Sequence, residues 1–188
     1  MKADDSLGTG VYFAIEDYAG SVRRVVAWTV DAAVLLLIAV ALWAGLVTVL
    51  WNLDPAFDPS GVFIISWVVL AWLYLVPLKR STIGTVAYRL LDMKILTTKG
   101  QRPSLFVMTY RTLMWLFGPF NFLLDLVWIG ADSEQQSLRD CYAGTYVVRR
   151  SAEPIGLGPL HLAYYCGAGM TLVYPRVIRP KLAAPKLT

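Results

Sequence analysis

The run from Val25 to Trp51 is the feature that most limits this chain. Asp31 is its one charged residue, and the run exceeds the ~20 residues a helix needs to cross a ~30 Å hydrocarbon core. A second run, Val62 to Leu78, just reaches the lower limit of a spanning length. With 57% hydrophobic and 16% charged residues, the chain reads as a small, single-domain integral membrane protein. Its first two helices are expected over about 24–51 and 61–78. A cleaved signal peptide is not expected, because the first run begins only after 24 mostly polar residues, including Asp4, Asp5, Glu16 and Asp17.

Several functional classes are disfavoured. Cys141 and Cys166 lie 25 positions apart and His161 is the one histidine, so no metal or haem site is expected. No nucleophile elbow, P-loop or dinucleotide fingerprint occurs, so neither enzymatic activity nor a cofactor is expected. The formal charge of +4 comes from basic residues that flank apolar segments instead of forming a stripe among aromatics. Membrane topology explains that placement better than nucleic acid does.

Charge asymmetry sets the orientation. The connection 52–61 carries Asp54 and Asp58 with no Lys or Arg, whereas 79–103 carries Lys79, Arg80, Arg89, Lys94, Lys99 and Arg102. The N-terminus and the basic segment are therefore expected in the cytoplasm of a bacterial inner-membrane, multi-pass protein. Trp43, Trp51, Trp67, Trp72 and Tyr74 near the helix ends read as interface anchors and packing residues.

The third apolar region, 104–130, contains Arg111, the Gly118-Pro119 pair and Asp125. As one helix it could span about 40 Å; its two arms reach about 20 Å each. Length favours a single crossing. Short strands read at Met93–Thr97 and Thr145–Val148 favour a broken or re-entrant hairpin, because pairing them would return both ends to one side. The fold expected is thus an all-α membrane protein of three to four transmembrane or re-entrant helices, with a short cytoplasmic strand pair. It divides into an N-terminal segment 1–17, a membrane domain 18–150 and an extension 151–188.

The extension carries Pro154, Gly156, Gly158 and Pro159, then HLAYYCGAGMTLVY, which His161, Gly167 and Gly169 make a poor spanning helix. Its Pro-rich end suits an extended path over another protein. Arg176, Arg179, Lys181 and Lys186 would meet acidic groups or lipid phosphates there.

Arg24, Ala27 and Asp31 form R-x-x-A-x-x-x-D, and QSLRDCYAGTYVVRR places Asp140 before Ala143-Gly144-Thr145. With TIGTVAYRLLDMKILTTKGQRPS between them, these segments resemble the RDD family of small membrane proteins over about residues 18–150. Some positions depart from the family pattern. Thr85 stands where a lysine is common, and Arg139 and Cys141 stand where a histidine and a lysine are frequent. The resemblance implies a membrane module for which transport, including sodium/proton exchange, has been suggested, and whose domain occurs in proteins that assist other membrane complexes.

Arg24 and Asp31 share a helix face but stand roughly 10 Å apart along the axis, so they cannot neutralise each other. An ionised aspartate inside a membrane costs about 2.5–3.5 kcal/mol and should find a partner. Arg111 is the partner expected for Asp31, and Arg24 for Asp140, or all four form one network that Asp125 could join. Two arginines against two aspartates make a neutral cluster of the kind that holds helices together. The leading expectation is therefore a structural or assembly subunit, with other membrane subunits, a second copy and lipids as partners. The alternative is cation/proton exchange at Asp31 with its pKa raised by burial.

Overall fold

The computed structural model describes residues 7–54, 56–114, 119–132, 134–167 and 170–179. The elements run β1 (Thr9–Tyr12), a 3-10 turn (Ile15–Asp17), α1 (Ser21–Leu53), α2 (Ser60–Leu73), a π-helical turn (Tyr74–Leu78), α3 (Val86–Leu90) and β2 (Met93–Thr97). They continue with α4 (Leu105–Leu113), α5 (Pro119–Ala131), α6 (Leu138–Ala143), β3 (Thr145–Arg149), β4 (Gly156–Gly167) and β5 (Met170–Val177).

Among the described residues, two helices are long and apolar enough to cross a membrane, Ser21–Leu53 and Ser60–Leu78. Their outward residues are aliphatic: Leu36, Leu37 and Val40 on α1 and Ile64, Ile65 and Val68 on α2 are all more than half exposed. Water would penalise such a surface and lipid would not. Trp43 packs edge-on against Phe63, with ring centroids 5.1 Å apart, and ties the pair together. The π-helical turn accommodates Pro77, which has no N–H to give to an α-helical ladder, and it leaves Tyr74 and Val76 buried.

The third apolar region is two helices. At 1.5 Å per residue, α4 and α5 reach roughly 14 and 20 Å, and neither crosses alone. The excursion leaves from β2 and returns through α6 to β3, which pair antiparallel with Met93 opposite Arg149 and Thr97 opposite Thr145. It therefore starts and ends at one sheet, as a broken helical hairpin does.

The expectation of an all-α protein is overturned. Besides β2–β3 there is a three-stranded antiparallel sheet in the order β1-β4-β5. The segment weighed as a poor fourth membrane helix is the β4–β5 hairpin, in which Leu160 faces Val177 and Tyr164 faces Val173. The N-terminal segment supplies the third strand, with Thr9 opposite Pro159 and Tyr12 opposite Gly156. His161 and the glycines argued against a spanning helix there, but did not announce a strand pair. Its partner strand is four residues long and lies far away in sequence, so no local pattern announces it. Gly10 is required at the contact, because a Cβ there would lie 2.7 Å from the Thr98 carbonyl oxygen and against Val177.

The two sheets are joined. The Val11 amide donates to the Thr98 carbonyl (2.8 Å), and the Ala19 amide donates to that of Val147 (2.8 Å). Between them, Phe13, Tyr18 and Tyr146 meet edge to face, with centroids 5.5–6.4 Å apart. Tyr18 and Tyr146 are buried in this core, and burial pushes the Tyr18 phenol up to about 12 and the Tyr146 phenol higher still. A second core, of Ala27, Val76, Ala87, Tyr88, Met93 and Met108 among others, fastens β2 and α3 to the start of α1 and to α4.

Candidate functional site

The buried residues of α1 are Arg24, Ala27 and Asp31. Their i, i+3, i+7 spacing puts all three on one face, and Ala27 leaves room for neighbouring helices to approach between the two charges. The face looks toward α3, the π-helical turn, α4 and α6, which bring the remaining charged groups.

Asp140 is fully buried and ion-paired to both Arg24 and Arg111. Arg24 is satisfied further, its Nε donating to the Ala19 carbonyl and its NH2 to that of Gln135, each at 2.7 Å. Asp140 also holds the start of α6. Ser137 is the N-cap, its hydroxyl accepts from the Asp140 amide, and the Asp140 carboxylate accepts from the Ser137 amide (3.2 Å). The Thr145 hydroxyl reaches the other carboxylate oxygen at 3.2 Å. Burial pushes the Asp140 carboxyl up, but Arg111 and Arg24 outweigh it and hold it well below the usual carboxylate range. Gly144, with φ of 58°, closes α6 in the left-handed conformation and turns the chain into β3.

Asp31 is built differently. Arg111, its expected partner, pairs with Asp140 instead. The cation at Asp31 is Lys79, whose Nζ lies 2.9 Å from Oδ2 and 4.5 Å from the centre of the Tyr88 ring. The Tyr74 hydroxyl donates to Asp31 Oδ1 (2.9 Å), and the Thr85 hydroxyl donates to Oδ2 (3.2 Å). Thr85 is where the resemblance would put a lysine; here Lys79 supplies the charge and Thr85 a neutral donor. Gly84, with φ of +75°, makes the turn that delivers Thr85 to this place.

Asp125 does face inward, and it pairs with Arg139 of α6, accepting from both the Arg139 amide (3.3 Å) and its guanidinium. Arg139 also lies over the Trp28 ring, at 5.2 Å from its centroid. Arg24, Asp140 and Arg111 thus form one unit, while Asp31 and Asp125 each have a separate cation. Lys79 and Arg139 were not among the charges expected in the network. Lys79 reads in sequence as a topology marker, although Pro77 two residues earlier flags an irregular turn there.

A cavity of about 340 Å3 lies beside Asp31, walled also by Trp28, Trp67, Lys79, Arg111 and Arg139. Asp140 does not line it. Among the described residues no three His, Cys, Asp or Glu side chains are grouped as a metal ion would require.

In the extension, the Arg176 guanidinium lies 3.4 Å from Asp132, and that of Arg179 lies 3.3 Å from Glu134 and over the rings of Tyr12 and Tyr18. Both arginines expected to reach a partner meet carboxylates of their own chain. Lys181 and Lys186 lie outside the described residues.

No curated protein and no solved structure matches the chain. The model of the RDD family matches residues 18–144, which include Arg24, Asp31, Arg111 and Asp140 and end at the glycine that closes α6. Together with the two long apolar helices, this identifies the chain as a membrane protein that belongs to the RDD family.

Proposed function

We propose that this protein is a non-enzymatic structural or assembly subunit of a larger membrane complex. The observation that carries the reading is the pairing of each of the site's buried aspartates with a cation of the same chain. Both oxygens of Asp31, Asp125 and Asp140 already accept from protein donors. A site that strips water from a cation needs negative charge that is not already compensated, and each of these carboxylates is paired with a lysine or an arginine. Charges satisfied in this way fix the relative placement of helices and strands. The aliphatic faces of α1 and α2 then remain for lipid, for other membrane subunits or for a second copy of the chain. With the sheets in the cytoplasm, as the basic connection 79–103 favours, the β layer would sit on the inner face of the membrane.

Cation/proton exchange is the second reading, favoured by the cavity beside Asp31. Lys79 opposes it by occupying the carboxylate a cation would use. Two measurements separate the readings. Gentle extraction from the native membrane should bring defined membrane proteins with this chain, and purified protein in vesicles should leave an imposed pH gradient unchanged when sodium or potassium is added. Cation-dependent proton movement that is lost in Asp31→Asn at normal folded yield would overturn the subunit reading.

A further inference from the structure

The cavity beside Asp31 has a chemical bias that the ion pairs around it leave unexplained. Its charged wall residues are Asp31 against Lys79, Arg111 and Arg139. Including the groups behind the wall, four cations (Arg24, Lys79, Arg111, Arg139) face three carboxylates (Asp31, Asp125, Asp140), a surplus of one positive charge. An unbalanced buried charge is expensive, so this surplus calls for a counter-ion.

Hydrogen bonding points the same way. Two buried polar atoms of wall residues have no partner among the described residues, Arg111 Nε and Trp67 Nε1. Both are donors. The Arg111 side chain is only 8% exposed, so bulk water is a poor substitute for an acceptor. What is missing is therefore an acceptor with negative charge.

Size and the remaining walls define the rest of the ligand. A volume of 340 Å3 falls in the range of about 300–1,000 Å3 typical of small-molecule sites and would hold about eleven waters at ~30 Å3 each. A bare inorganic anion would leave most of it empty against Leu35, Leu75 and Met108. Leu35 lies one turn beyond Asp31 on α1, toward the middle of that long apolar helix.

We propose that this cavity binds one anionic amphiphile, its acidic headgroup held by Lys79, Arg111 and Trp67 and its apolar chain running along Leu35. The headgroup completes the charge balance, and the chain fills space that the helix pair leaves open. The site does not depend on whether the protein is a subunit or a transporter.

Native mass spectrometry of the purified full chain, taken from vesicles of equimolar phosphatidylglycerol and phosphatidylcholine, tests this. One phosphatidylglycerol per chain should survive stepwise detergent washing, with phosphatidylcholine lost. Leu35→Trp, which fills the cavity, should abolish that retention. Trp67→Phe keeps the ring, removes one donor and should weaken retention about fivefold. Both variants are checked for unchanged elution and melting. Two further arms separate the ligand's sources: dodecanoate competing with the lipid would identify a soluble amphiphile able to use the same site, whereas inorganic phosphate alone should neither compete nor stabilise. Equal retention of the two lipids by the wild type, retention unchanged in folded Trp67→Phe, or competition by phosphate alone would each overturn the proposal.

Discussion

Asp140 and Asp31 are the two aspartates of one family pattern, and they are held in opposite ways. Asp140 meets two arginines, caps a helix through its own carboxylate and does not line the cavity beside Asp31. Asp31 meets one lysine and two hydroxyls, and a cavity opens beside it. Arginine pairs rigidly and stays charged in any surroundings, so it suits a joint that never opens. A lysine on a flexible stem with neutral donors around it suits a position where something else can bind. The same residue type therefore serves as a rivet at one place and as the edge of a binding site at the other.

The comparison is easiest to break at Asp140. Replacing it with Asn leaves Arg24 and Arg111 buried without compensation and should cost about 3–5 kcal/mol, enough to abolish folded yield from a small membrane protein. Folded, monodisperse protein from this variant, measured by size-exclusion yield and melting, would show that the arginines are not held by this charge.

Asp31→Asn should be milder, about 1–3 kcal/mol. Asn retains an acceptor for Tyr74, and Lys79, 11% exposed, can turn toward solvent. The variant should fold with a lowered melting temperature. A loss as severe as that of Asp140→Asn would erase the distinction between the two sites.

Ser137→Ala removes only the cap hydroxyl and should cost about 1 kcal/mol. Melting of Ser137→Ala against the wild type measures this loss, and an unchanged melting temperature would show that the cap hydroxyl does not hold the start of α6.

The smallest effect is in pH. The folded pKa of Asp140 is depressed, so its contribution is fully present above the ordinary aspartate pKa and is lost only as the pH falls through and below that range. Acidifying from pH 7 to 5 should leave it untouched. Burial raises the Glu134 pKa despite Arg179 nearby, so in the same interval the folded chain takes up a proton more readily than the unfolded chain does. Stability should rise slightly over that interval, and Glu134→Gln should flatten the rise in melts recorded across it.

How legible these features were in the sequence follows from their range. Arg24, Ala27 and Asp31 announce a shared face because helical spacing is a local property. The pairing of Arg24 with Asp140 follows from two opposite charges that both need a partner. Ser137-x-x-Asp140 carries the capping-box spacing, a local signal that could have placed the start of α6. The choice of Arg111 by Asp140 and of Lys79 by Asp31 is different, since it depends on the π-helical turn around Pro77 and on the turn at Gly84, whose geometry composition does not encode. The β1-β4-β5 sheet was least legible. Its first strand has four residues, too few for alternation to register, and their partners are supplied only by the distant β4.

That last pairing governs the order in which the molecule can be completed. Thr9 leaves the ribosome well before Pro159, which follows 150 residues behind it. The apolar helices, α4, α5 and the β2–β3 ladder can all form before the β4–β5 hairpin is synthesised. Loop closure over such a span is slow, so β1 stays an unpaired edge at least until β4 has been made. The sheet is then the final fastening, and a ribosome stalled before β4 would release a chain whose membrane part is folded but whose N-terminal strand still offers its backbone to whatever is nearby.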